Sequence, residues 1–441
     1  MRPTARMRVD GVSETDKDID GFFSSARVTG TDAEVKLDAD SYRDHLRDLD
    51  DPELAPWRGM SYDEFAAARR DNPFLDQLLA DWNALYHEPF VGVTTDGTVE
   101  QGLYRRPEGV NEATIAEAAL GVVDALTAEQ ADAVRYPIDA PERRAWSNPE
   151  FVFHRVGVRV EDLDDVAVEA IHDLMRASLS PVGYDRVREA MELNAFLGEL
   201  VDLPTIMNDR SYWFALYGTP STGEPWGWQL FGHHVALNFV TVGGRHVIAP
   251  VFIGAEPALS DGARTPIFDA REQLALRLAS SLTAEQRDRA IVFDSVLDPA
   301  MPEGRLHPAD ERHVAGAFRD NRVIPYEGIC AVDLDPTQRD LLREIVEDFH
   351  ALLRDDQREI VMAEYDEHVE QTWFSWYGAT DGSEPIYFRI QSPVVLAELD
   401  NHAGVWLSNR LPARFHVHST LRHPNGNDYG KALIALSRDA R

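Results

Sequence analysis

Two stretches decide the fold: Trp213–Leu230, WFALYGTPSTGEPWGWQL, and Trp373–Ile390, WFSWYGATDGSEPIYFRI. They stand 160 residues apart and align without a gap at Trp213/Trp373, Tyr217/Tyr377, Gly218/Gly378, Glu224/Glu384 and Pro225/Pro385. Upstream, LTAEQ occurs at Leu126–Gln130 and again at Leu282–Gln286, an offset of 156. Between these anchors each copy has a Leu-Asp followed by a long helical stretch, LDDVAVEAIHDLMRASL from Leu163 and LDPTQRDLLREIVEDFHALL from Leu334. Chance does not easily supply this order and spacing, and the period is far too long for a solenoid. The expectation is two homologous halves, 112–265 and 266–430. They follow an acidic, partly disordered arm (1–55) and a helical N-terminal extension (56–111), and precede a short tail (431–441).

Each half reads as helices and then strands. LTAEQ offers a Thr N-cap with Glu in the first turn. WGWQLFGHHVALNFVTV and IYFRIQSPVVLAELD are rich in β-branched and aromatic residues and read as strands. RHVIAPVFIG and FHVHSTLR read as the strands that follow them. Helices followed by antiparallel strands predict an α+β fold, with an antiparallel sheet in each half. In the extension Phe74, Leu75, Leu78, Leu79, Trp82 and Leu85 fall at helical spacing.

The chain has 441 residues and a formal charge of −33. Nucleic-acid binding needs a dense basic patch, and an anionic membrane surface attracts the same, so neither partner fits. Cys330 is the only cysteine, which excludes an intrachain disulfide and a zinc ribbon; it reads as a buried, inert thiol. The first residues have arginines but no apolar h-region, and no apolar run spans a bilayer, so a cytoplasmic location is expected. No GxGxxG after a strand, GxxxxGK[ST], GxSxG or HExxH is present.

Strand alternation selects the chemistry. Residues i and i+2 share a face, so His416 and His418 point the same way. His233 and His234 point oppositely. His234 shares its side with Gly232, Ala236 and Asn238, which leave room, so His234 is the expected third member. Glu398 aligns with Asn238 and shares a face with Asp400. The expected centre is one divalent metal, zinc or iron, held by His234, His416 and His418, with Glu398 or Asp400 as further ligand or general base. Arg389 and Gln391 are expected on the opposite face from Glu398; Arg389 is a candidate carboxylate or phosphate clamp, or a structural ion pair. Trp226 and Trp228 are pocket-lining candidates or core. The loop RHPNGNDYG offers Arg422, His423 and Asp428 as substrate-binding candidates, or plain turn chemistry. Glu256 is a weaker candidate. The other histidines, His313 and His402 among them, have no ligand partner at a telling spacing.

The segments GEPWGWQLFGHHVALNF, AFRDNRVIPYEGI, IQSPVVLAELD and FHVHSTLRHPNGNDYGK together resemble the domain of unknown function 3500 family, as do PFVGVTTDGTVEQGLY and RRAWSNPEF. The resemblance runs from about Pro89 to the C-terminus, and the family motifs matched here are Gly232-His233-His234 and His416-Val417-His418. It implies little about chemistry. The residues point to metal-dependent catalysis on a small molecule, hydrolysis ahead of a non-haem iron oxygenase or oxidoreductase. A non-catalytic small-molecule or carbohydrate-binding protein is the reading from another class. Oligomeric state is left open.

Overall fold

The computed structural model describes residues 41–48 and 50–439. Most of the acidic arm read from the sequence, residues 1–40, lies outside the described residues. Eleven α-helices and twelve strands are present among those described.

The strands are β1 (Arg135–Tyr136), β2 (Val158–Arg159), β3 (Tyr212–Tyr217), β4 (Trp226–Gly232), β5 (Val235–Val242) and β6 (Arg245–Ala255), then β7 (Ile291–Phe293), β8 (Ile329–Cys330), β9 (Trp373–Tyr377), β10 (Tyr387–Gln391), β11 (Leu396–Asn401) and β12 (Val417–Arg422). All belong to one mixed sheet in the order β1-β3-β4-β5-β6-β12-β11-β10-β9-β7, with β2 on β3 and β8 on β9. The expected antiparallel sheet in each half is therefore corrected in two ways. β6 and β12 pair antiparallel, His418 opposite Gly254 and Thr420 opposite Phe252, and this joins all the strands into one sheet. At the two ends β1 runs parallel to β3, and β7 parallel to β9. The helices between the members of each parallel pair supply the crossover that parallel pairing requires.

Local chemistry explains the helix starts. In both LTAEQ copies the Thr hydroxyl accepts from the Gln backbone and the Gln side chain accepts from the Thr backbone, at 3.3 and 3.0 Å for Thr127/Gln130 and 3.3 and 2.9 Å for Thr283/Gln286. These are capping boxes. The Asp after each Leu caps the next helix: Asp164 accepts from Ala167 N–H at 2.9 Å, and Asp335 from Gln338 N–H at 2.9 Å.

A second correction concerns the long apolar runs. WGWQLFGHHVALNFVTV is not one strand but a hairpin, β4 and β5, turning at His233–His234. IYFRIQSPVVLAELD turns likewise between β10 and β11. A turn inserted in the run changes which residues share a face. Arg389 lies directly across from Glu398, and Gln391 across from Leu396, so Arg389 and Glu398 share a face rather than opposing each other.

Both faces of the sheet are covered. One carries helices and the main core, where Trp228, Leu230, Leu237 and Phe239 pack with Ile171, Leu174, Leu342 and Phe349. The other is covered by the helices Tyr62–Arg70 and Pro73–His87 and by long connecting segments, around Trp146, Phe231, Phe252 and Phe318. The second face holds the site.

Candidate functional site

The centre of the loop-covered face is built where β6 meets β12. His418 is on β12 and His416 immediately precedes it. His234 arrives from the β4–β5 turn. The strand-alternation argument for His234 is thus replaced by turn geometry: its φ is +63°, a left-handed conformation that costs a non-glycine residue of the order of 1–2 kcal/mol. Its ring stacks on His233, centroids 3.8 Å apart, and its backbone N–H donates to Asn148 Oδ1 at 3.2 Å. His233 keeps its Nδ1 paired with Asn194 Oδ1 at 2.8 Å.

His234, His416 and His418 are brought together. Each offers a ring nitrogen, and these atoms all lie within 4.8 Å of one another. His416 Nδ1 donates to the Ala403 carbonyl at 2.7 Å, which leaves Nε2 unprotonated and able to accept from His418 Nε2–H. That Nε2 is 3.0 Å from His418 Nε2. Two nitrogens bound to one zinc at about 2.0–2.1 Å in tetrahedral geometry would stand roughly 3.3 Å apart. His234 Nδ1 is buried with no hydrogen-bond partner. Gly254 makes the approach possible: a Cβ there would lie 2.6 Å from His418 Cδ2 and 3.0 Å from His234 Cδ2.

Electrostatics keep these rings neutral. Burial, reinforced by the neighbouring imidazoles, holds His234 and His418 well below the usual histidine range. Burial also lowers His416, opposed by the Glu256 carboxylate, whose Oε1 is 4.0 Å from His416 Nδ1. Neutral imidazole is the form that binds a metal. Glu256 itself accepts from the amides of Val405, Trp406 and Leu407 at 2.9, 3.2 and 3.0 Å, and so fixes the loop that orients His416.

The two candidate carboxylates are committed to neighbours. Glu398 accepts from Val314 N–H at 2.9 Å, Ala315 N–H at 3.1 Å and the Tyr387 hydroxyl at 2.7 Å. Asp400 stands across from His418 and accepts from Arg312 Nε at 2.6 Å. Burial alone would raise the Asp400 pKa; Arg312 and His402 outweigh it and hold the carboxyl well below its ordinary value. Both residues, with Arg422 and Gln391, fasten the segment 312–324 across the sheet. Arg422 donates to the Ala315 and Gly316 carbonyls at 2.7 and 2.5 Å, and Gln391 to the Ile324 carbonyl at 2.6 Å.

The remaining candidates are dispersed. Arg422 also pairs with Asp320 and Asp428 at 2.8 and 2.9 Å, fully buried. Burial pushes Asp428 up to about 6. Arg389 is paired with Glu327 at 3.3 Å. His423 lies on the helix-covered face, its Nε2 3.3 Å from His350 Nε2. Trp226 and Trp228 are on that face too, donating to the Ser221 carbonyl and Ser178 Oγ, both at 3.0 Å. His423, Trp226 and Trp228 thus lie on the face away from the histidine trio, and Arg389, though on the trio's face, is engaged by Glu327.

Two residues passed over in the sequence adjoin the trio. The His402 ring packs tilted against that of His418, centroids 3.9 Å apart, and the His313 ring lies 5.9 Å from that of His402. His402 was within reach of the alternation rule, because Glu398, Asp400 and His402 continue one i, i+2 series. His313 sits in an irregular segment with no period to expose it.

A family model described as "Protein of unknown function (DUF3500)" matches residues 108–431. No curated protein and no solved structure matches the chain.

Proposed function

The chain belongs to the DUF3500 family, whose description names no activity, and from the site itself we propose that it is a metal-dependent enzyme acting on a small molecule, with hydrolysis its reaction. The observation that carries this is the convergence of three buried, neutral imidazoles, His234, His416 and His418, within 4.8 Å. Three protein donors with a fourth position open is the pattern of catalytic zinc. The ion, zinc or ferrous iron, would acidify a bound water to near pH 7 and so supply the nucleophile. The chain's own residues do the rest: Ala403 sets the tautomer of His416, Glu256 holds its loop, and Gly254 admits the rings. Glu398 is spent on backbone amides. Asp400 is kept ionised by Arg312, which suits a charge partner or ligand better than a proton acceptor.

A non-haem iron oxygenase is the second reading, because His313, Asp400 and His402 form a two-His-one-carboxylate set of the kind such enzymes use. The test is thermal unfolding of chelator-treated protein with and without added zinc or ferrous ion, alongside hydrolysis of ester and phosphoester substrates. A ligand present at a thousand times its dissociation constant stabilises by about 4 kcal/mol. A midpoint that neither ion shifts contradicts the proposal.

We further infer that the two halves arose by duplication. Supporting this, the residue offset of 160 holds for cross-strand pairs: Phe214 opposite Leu230 and Phe374 opposite Ile390, Gln229 opposite Asn238 and Arg389 opposite Glu398. A cytoplasmic setting accords with the single buried thiol of Cys330, and no helix among the described residues is long and apolar enough to cross a membrane.

A further inference from the structure

Beside the trio is a second set of converging donors. His313, Asp400 and His402 each offer one ligand atom, and these also lie within 4.8 Å of one another. All three side chains are buried, His313 and His402 to 3% exposure. His313 Nδ1 is engaged with Thr420 Oγ1 at 2.7 Å, and its Nε2 has no hydrogen-bond partner. His402 Nε2 is 3.1 Å from Asp400 Oδ2 but out of line for a hydrogen bond, so it too is unsatisfied. A buried polar atom left unpaired costs about 1–3 kcal/mol. Two such nitrogens beside one carboxylate have a common remedy in a cation.

We propose that His313, Asp400 and His402 hold a second divalent ion, of the zinc or ferrous class, next to the one assigned to the trio. Arg312 is the cation beside this set. Its guanidinium contacts two carboxylates, Asp400 Oδ1 and Glu311 Oε2, each at 2.6 Å, which leaves one negative charge in excess to attract a cation, and it also donates to the Val296 carbonyl at 3.1 Å. The two sets share a wall: the His402 ring is 3.9 Å from that of His418 and 5.4 Å from that of His416, and the His313 ring is 6.4 Å from that of His418. Ions held there would be near enough to act on one substrate, as in hydrolases whose two ions stand about 3.5–4 Å apart and clamp the attacking and leaving oxygens. The donor set stands on its own residues; its use in two-ion hydrolysis rests on the proposed function.

Cobalt(II) titration of the chelator-treated full chain, followed by absorbance and elemental analysis, tests this. Wild type is expected to take up two equivalents, and His313→Gln and His416→Gln one each. Glutamine at 313 keeps a hydrogen-bonding group for Thr420 while removing the ligand nitrogen. A wild type that binds one equivalent, lost in His416→Gln but kept in His313→Gln, overturns the second ion and leaves the trio standing. One equivalent lost in His313→Gln but kept in His416→Gln does the reverse. Two equivalents retained by His313→Gln place the second ion elsewhere and overturn the assignment, and no binding overturns both sites. Should His313→Gln fail to fold, a one-equivalent wild type whose His416→Gln variant binds none still overturns it.

Discussion

At the scale of single residues, Gly254 and His416 carry the account. Gly254 is the residue without which His418 and His234 cannot approach, since any Cβ meets both rings. Gly254→Ala is expected to lower stability by about 1–3 kcal/mol, as overpacking of a filled site does, and to weaken metal binding at least tenfold; both are read by thermal unfolding and dialysis against zinc. Tight binding unchanged would show that the rings are not ligands. Some of this was legible in the sequence. The i, i+2 reading puts His416 and His418 on one strand; the strand carries His418 but starts at Val417, and His416 stands in the bend immediately before it. The face of Arg389 was not legible, because counting through Gln391-Ser392-Pro393 as if it were extended reverses every side chain beyond the turn. Glu398 looked free only because its partners, the amides of Val314 and Ala315, come from a segment more than eighty residues away in the chain. No local pattern reports such a contact.

At the scale of elements, the caps are the clearest link from sequence to structure. Thr127 and Thr283 stand in identical pentapeptides and make the same reciprocal bonds. Thr283→Ala is expected to cost about 1 kcal/mol and to leave metal content unchanged, since the helix Ala284–Ala290 packs near β7, far along the sheet from β12. Urea denaturation of this variant against wild type measures it; a cap variant that lost metal would tie the site to helix stability instead. The β4–β5 hairpin escaped the sequence because Gly232-His233-His234-Val235 has none of the Asn-Gly or Asp-Gly pairs that mark tight hairpins. Tertiary context holds His234 at positive φ there. The β10–β11 turn had a visible signal in Ser392-Pro393, since proline does not sit in the middle of a central strand.

At the scale of the whole molecule, one sheet with both faces covered forces many polar groups inside, and pH is the lever that exposes them. Burial lowers His246 and His350 to about 4 and His423 to about 3. Their unfolded-state value is near 6.5, so below that pH the unfolded chain takes up protons that the folded chain refuses, and stability falls as pH drops. Asp428, raised to about 6, acts the other way between about 6 and its unfolded value near 4, one group against three. The unfolding midpoint is therefore expected to be several degrees lower at pH 5 than at pH 7.5, and a midpoint that rose would mean these imidazoles are not buried as neutral rings. The joining of β6 to β12 was beyond sequence reading, because pairing between distant strands leaves no mark in either strand. It is also what brings Gly254 opposite His418 and so makes a site at all. The most direct test of that site is plasma mass spectrometry on the protein purified without added metal, beside its His416→Ala/His418→Ala double variant. The account predicts bound zinc or iron in the wild type, at least one ion per chain, with one ion fewer in the variant. A wild type free of transition metal, or a variant that retains all of it, would contradict the account.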